Sequence, residues 1–281
     1  MNDNSKKIRA FCAYALLAAL GFLMIYPLLW MLGAAFKSNQ EIFGSVGLFP
    51  KHPVWDAYFE GWKGSGQYTF GNFLFNSFAL VLPTTLFTAL SAILVGYGFS
   101  RFNFPLKKVL FSVMIATLML PATVIIIPRY IFFRNLGWLD SYLPFIVPAF
   151  LGSFPFFNFM MVQFFRGIPV ELDESARIDG CGSLRTLLLV LLPLCKPAIF
   201  SVAVFQFVWV WNDFFNVLIY ISSVSKFPLA LGLRLSLDIS ANVNWNQILA
   251  MSTLSIIPPV LLFFFAQRYF VEGISTAGIK E

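Results

Sequence analysis

Charge is scarce in this sequence. Asp, Glu, Lys and Arg make up 11% of its 281 residues, and only 13 residues are acidic. A soluble globular domain carries about 25% charged residues, so this chain is not built to be covered by water. Histidine is nearly absent. The one present, His52, stands beside Pro53 with no second ligand near it in sequence, which speaks against a metal centre. The three cysteines, Cys12, Cys181 and Cys195, form neither a cluster nor an even-numbered framework. That argues against a disulfide scaffold and leaves packing as their expected role. No G-x-x-x-x-G-K-S/T run occurs, so the chain has no phosphate-cradling loop of that kind.

Apolar residues fill the space that charge leaves. Hydrophobic residues make up 59% of the chain and aromatic residues 18%. Uncharged runs cover 10–36, 64–100, 109–128, 141–165, 197–212 and 239–267. A bilayer-spanning helix needs roughly 20 such residues, and backbone groups in lipid must pair within their own segment. The expected fold is therefore all-α and integral to a membrane. Six spanning helices are expected at about 10–36, 73–100, 109–128, 142–165, 197–222 and 247–270, within one domain covering 1–281. Lys and Arg gather on the side that holds the N-terminus, most sharply at Arg101, Lys107 and Lys108. The positive-inside bias then puts both termini in the cytoplasm. It also explains the net charge of +6 without any nucleic acid. Segments 37–72 and 223–247 become the outer loops, and 166–196 the longest cytoplasmic connection.

That connection contains ELDESARIDG, residues 171–180, with four carboxylates. Pro169 suits a helix start. Glu171, Asp173 and Glu174 would then complement the helix dipole, and Asp173 and Arg177 have the spacing of an i,i+4 pair. Gly180 stands where a helix end favours a left-handed residue. Ser183 is positioned to cap a second helix, Leu184 to Leu192, that Pro193 would stop. The small residues Ser175, Ala176, Gly180 and Gly182 allow another surface to approach closely.

Glu174-Ser175-Ala176-Arg177-Ile178-Asp179-Gly180, nine residues, then Val190-Leu191-Leu192-Pro193 resembles the EAA motif of ABC importer permeases. Ser175 and Val190 depart from that pattern conservatively. The resemblance continues through Asn76-Ser77-Phe78, Gly96 to Phe102, Phe104-Pro105, Leu120-Pro121, Ile127-Pro128, Leu136-Gly137, Asp140-Ser141-Tyr142, Trp211 to Phe214 and Gln267 to Phe270. The match is to MalG-like carbohydrate permease subunits. It implies a type I importer fold in a bacterial or archaeal cytoplasmic membrane, and a role without catalysis. Glu171, Glu174, Ser175, Ala176, Arg177, Asp179 and Gly180 would dock on a cytoplasmic ATPase. The implied partners are a second, homologous permease subunit, two ATPase subunits, an extracytoplasmic solute-binding protein, membrane lipid and a carbohydrate substrate. ATP and Mg would be used by the ATPase subunits, with no cofactor on this chain.

Polar residues inside the apolar runs are candidates for the translocation path: Asn158, Asn212, Asp213 and Asn216, with Gln163 weaker. Intramembrane charge such as Asp213 usually faces a cavity. The same groups also suit hydrogen bonding between helices. A self-sufficient secondary transporter should show an internal repeat and several intramembrane ionisable residues, and neither is evident. An intramembrane enzyme lacks H-E-x-x-H and any nucleophile with a partnered base. A channel leaves the acidic segment unexplained.

Overall fold

The computed structural model describes residues 3–64, 67–238 and 243–277. Helices account for most of them. In chain order they are α1 (Asp3–Ala34), α2 (Asn39–Gly44), α3 (Ala57–Lys63), α4 (Phe70–Arg101), α5 (Lys107–Leu118), α6 (Ala122–Asn135), α7 (Leu143–Phe150), α8 (Pro155–Gly167), α9 (Glu171–Ile178), α10 (Ser183–Thr186), α11 (Leu192–Leu194), α12 (Lys196–Trp211), α13 (Phe214–Tyr220), α14 (Leu229–Asp238) and α15 (Trp245–Ala277). A π-helical turn, Leu187–Leu191, joins α10 to α11. Among the described residues, four segments are long and apolar enough to cross a membrane: Arg9–Ala34, Phe70–Arg101, Leu143–Gly167 and Trp245–Gln267. Two bent helix pairs raise the number to six if each pair is one span.

The expected helices at 73–100 and 247–270 fall within α4 and α15, and the one expected at 10–36 lies in α1 apart from its last two residues, since α1 ends at Ala34. The side chains of Arg268 to Phe270 lie outside the described residues, as does segment 239–242 of the expected loop at 223–247. The other three expected helices are interrupted, each for a local reason. The helix expected at 109–128 ends at Leu118, because Pro121 lacks a backbone N–H and disfavours helix in the residue before it. The one expected at 142–165 breaks ahead of Pro155, at Gly152, whose φ is +72°. The one expected at 197–222 stops at Trp211 and restarts at Phe214, with the Asp213 carboxylate accepting from the Asn216 N–H at 3.1 Å. Asp213 is thus a cap between two helices and not an interior helical residue.

The chain divides into two compact units. One comprises residues up to Gly71 together with Leu233–Ile256. In it, Asn39 Nδ2 donates to the Val243 carbonyl at 2.8 Å and Asn39 Oδ1 accepts from the Trp245 N–H at 3.0 Å. Gly61 lets α3 approach Met251 and the Gln247 carbonyl of α15.

The other unit comprises Asn72–Gly232 and the residues from Ile257 onward. Its core joins Ala92, Ile93 and Tyr97 of α4, Phe157, Met161 and Phe165 of α8, Leu187 and Leu191 of the π turn, and Val202 of α12. The turn is widened ahead of Pro193, whose ring would clash with the Leu189 carbonyl in a regular helix. Pro193 therefore loosens the helix and does not stop it. Gly96 sets the distance between α4 and α8. A Cβ there would fall 2.6 Å from Met161 Cβ and 3.0 Å from its backbone carbon. Gly98, two residues on, has open space around it. Gly96→Ala is expected to cost about 1–3 kcal/mol. Gly98→Ala is expected to be neutral or to stabilise by about 0.5–1 kcal/mol. Thermal midpoints of the two variants in detergent check this; equal midpoints refute the close approach.

Candidate functional site

The acidic segment folds as the sequence suggests at both ends of α9. Glu171, Asp173 and Glu174 occupy its first turn and Arg177 its last. Gly180 has φ +80°. Its N–H donates to the Arg177 carbonyl at 3.0 Å, and the Cys181 N–H donates to the Ala176 carbonyl at 2.9 Å. These two bonds close a Schellman-type helix end. Pro169 precedes the capping residue Val170 and so lies two positions before the first helical residue, outside the helix it was expected to start. Gly182 caps α10 in place of Ser183, whose carbonyl instead accepts from the Tyr97 hydroxyl at 3.0 Å.

One expected contact is replaced by another. Asp173 does not pair with Arg177. It is buried, and its Oδ2 lies 2.9 Å from Arg101 Nε, with the two side chains 5% and 6% exposed. The approach is out of line for a hydrogen bond, so the contact is a charge pair. A second nitrogen of Arg101 donates to the Ile168 carbonyl at 2.9 Å. Arg101 is the last residue of α4, so the pair ties the surface helix to the end of a 32-residue apolar helix. Asp173 and Ala176 form the inward face of α9, while Glu171, Glu174, Ser175, Arg177, Asp179 and Gly180 are exposed. Val170, Leu172 and Ile178 add apolar surface beside them. The signal that predicted the segment was its charge density. Arg101 lies 72 residues from Asp173 in sequence, and nothing in that separation signalled the anchor.

Asp213 and Asn216 line a cavity of about 630 Å³ with Arg129, Gln206, Trp209 and Tyr220. Asn216 Nδ2 lies 3.0 and 2.9 Å from the two Asp213 oxygens. Asn158 and Asn212 are not part of this cavity. The Asn158 amide donates to the Gly152 carbonyl at 2.7 Å, holding the turn between α7 and α8. Asn212 donates back to the Val208 carbonyl at 2.8 Å. Gln163 is exposed on α8. Gln206 is one of two amides within the uncharged run 197–212, the other being Asn212 at its end, and that was the signal the sequence offered for it.

A third cluster joins the loop after α6 to the loop after α13. Asp140, at φ +55°, accepts from the Ser223 hydroxyl at 2.6 Å, the Ser223 N–H at 2.8 Å and Lys226 Nζ at 2.8 Å. The Lys226 ammonium, followed by Ser223, holds the carboxyl well below its usual range. A depressed carboxylate stabilises the fold fully above its unfolded pKa of about 4, and that contribution fades as pH falls below it. The wild type is therefore expected to lose protease resistance at this latch between about pH 4 and pH 2. Asp140→Asn should flatten that dependence. An unchanged pH profile in the variant contradicts the assignment.

Comparison with known proteins places these features. The family described as "Binding-protein-dependent transport system inner membrane component" matches residues 89–276. The chain is 32% identical over 279 residues to the sn-glycerol-3-phosphate transport system permease protein UgpE of Yersinia pestis, covering 98% of each. It is 30% identical to the galactooligosaccharides transport system permease protein GanQ of Bacillus subtilis, over 97% of this chain and 96% of that one. It is also 30% identical to the sulfoquinovosyl glycerol transport system permease protein SmoH of Agrobacterium fabrum, over 91% and 89%. In fold it is similar to a chain of a bacterial ABC transporter that imports the acidic polysaccharide alginate, with a TM-score of 0.80, 22% identity, and coverage of 96% and 99%. With the family's segment spanning most of its length and such relatives aligned nearly end to end, the chain belongs to the binding-protein-dependent transport system inner membrane components, the non-enzymatic, multi-pass permease subunits of ABC transporters.

Proposed function

We propose that the chain is the permease half of an ATP-driven importer for a sugar or oligosaccharide. It crosses the cytoplasmic membrane six times, each bent pair forming one span, with both termini in the cytoplasm. A second, homologous permease completes the translocation path. The observation that carries the reading is α9, an exposed acidic helix whose inward face is locked to the end of α4 by the Arg101–Asp173 pair.

Segment 166–196 is the coupling element. Glu174, Arg177, Asp179 and Gly180 meet the ATPase, with Glu171, Ser175 and Ala176 completing the docking helix. Two ATPase subunits bind ATP and Mg and supply the motion. Because Asp173 and Ile168 hold Arg101, a displacement of α9 is passed to α4. A solute-binding protein delivers substrate to the outer segments 37–72 and 223–247. The substrate then passes the cavity at Asp213 and Asn216. Relatives named for glycerol phosphate, galactooligosaccharide and sulfoquinovosyl glycerol support a polyhydroxylated cargo.

The test is purification of the chain from its native membrane in mild detergent, with partners identified by mass spectrometry. An ATPase subunit and a second permease are expected. Their absence, under conditions that keep other membrane complexes intact, overturns the reading.

A further inference from the structure

The start of α5 lies beside the end of α8. Arg166, in the last turn of α8, places its guanidinium 4.7 Å from the centre of the Phe111 ring, and the Phe111 and Phe159 rings are 6.3 Å apart. Two of the cations near this junction are engaged. Arg101 holds Asp173 and the Ile168 carbonyl, and Lys107 Nζ donates to the Phe102 carbonyl at 2.7 Å. Two others are not. Lys108 and Arg166 are exposed, and among the described residues neither is paired with a carboxylate.

Lys108 heads a groove of about 400 Å³ on α5, lined further by Val109, Ser112, Val113 and Ala116. Val109 and Val113 are more than half exposed. From Lys108 to Ala116 the groove runs about 12 Å along the helix axis, which carries it from headgroup depth into hydrocarbon. Ser112 stands one turn below Lys108. Thr117 of the same helix donates to the Met114 carbonyl, whereas the Ser112 hydroxyl makes no hydrogen bond among the described residues. An unpaired hydroxyl is costly in an apolar medium, so its partner is to be sought outside the chain.

Two free cations, a free hydroxyl one turn deeper and an apolar groove below them match one kind of molecule. A phosphate suits the cations, an ester oxygen suits the hydroxyl, and an acyl chain suits the groove. A homologous permease fits this face less well. The positive-inside bias gives its cytoplasmic end cations too, and like charges would meet. We propose that the α5 groove binds one anionic phospholipid of the cytoplasmic leaflet, with Lys108 and Arg166 on its phosphate and Val109, Val113 and Ala116 along one acyl chain. The proposal rests on the reading of α5 as the cytoplasmic half of a span, and it gives this chain a lipid ligand that the importer reading does not require.

The full chain, with whatever subunits copurify in mild detergent, is titrated by native mass spectrometry with dioleoyl phosphatidylglycerol and with dioleoyl phosphatidylcholine. The first phosphatidylglycerol should bind about twentyfold tighter than the first phosphatidylcholine, about fivefold for each cation. Lys108→Gln with Arg166→Gln should erase that preference. Ser112→Ala should weaken phosphatidylglycerol about threefold, the scale of one hydrogen bond. Val113→Trp fills the groove with both cations intact and should weaken both lipids. Inorganic phosphate at the same concentration should not displace the bound lipid; displacement reduces the groove to an anion site and overturns the proposal. A photocrosslinking residue in place of Val113, activated in native membranes, should form a lipid adduct, and an adduct with a second permease chain overturns it as well. So do equal affinities for the two lipids, or a preference that survives in the double variant. ATPase copurification from the same preparation separates the two levels. Lipid preference without an ATPase refutes only the importer reading, and an ATPase without lipid preference refutes only the lipid site.

Discussion

Asp173→Ala should destabilise the protein by about 3–5 kcal/mol, because it strands the Arg101 guanidinium without a counter-charge in a place water does not reach. The cost comes from the charge left behind more than from the attraction lost. The double variant Arg101→Met with Asp173→Leu should therefore recover most of the stability, as apolar replacement of a buried pair is often neutral. The Ile168 carbonyl would lose its donor in that variant, leaving a residual cost of about 1 kcal/mol. Unfolding in mixed micelles measures the stabilities. ATPase activity stimulated by the binding protein measures what the pair does for transport. The double variant should fold well and still couple poorly, because the helices are no longer joined by charge. A single variant within 1 kcal/mol of wild type, or a double variant no better than the single, removes the anchor from the account.

The second large effect is at the far end of α9. Gly180→Pro requires φ near −65° where the backbone sits at +80°, and it deletes the N–H that donates to Arg177. The helix end cannot close, and ATPase copurification should fall at least tenfold while the chain still inserts in the membrane. Gly180→Ala has open space for its Cβ. Its cost is confined to the left-handed backbone, about 1–2 kcal/mol, so it should couple partially. Glu174→Lys with Asp179→Lys separates docking from folding. Both carboxylates are exposed, so the thermal midpoint should stay close to that of wild type while uptake is lost. Normal uptake by the Lys pair would disprove docking through this helix.

Element types were largely legible in the sequence, and element continuity was not. Uncharged length located α1, α4 and α15 because a membrane span is a matter of apolar run length. The same criterion passed over Pro121, Pro155 and Asp213, where the helices break. Composition averages over a window, whereas a missing N–H or a capping carboxylate acts at one residue. The surface segment was legible because its caps are local: acidic residues at the start of α9, glycine at its end. The partner of Asp173 was not, since Arg177 and Arg101 are equally good cations on paper. What decided between them was which face of α9 is buried. Asn158 shows the same gap: an intramembrane amide suggests a pathway, yet its nearest acceptor is the carbonyl of the broken turn at Gly152.

The buried pair sits at the very tip of α4, and that position sets a mechanical advantage. A helix of 32 residues is about 48 Å long at 1.5 Å per residue. If Arg101 is the handle, a tilt of about 5° imposed there sweeps the opposite tip through about 4 Å over that length, roughly the thickness of an aromatic ring. Small strokes on one side of the membrane thus become gate-sized displacements on the other, provided the rod stays stiff at Pro83, the one proline inside it.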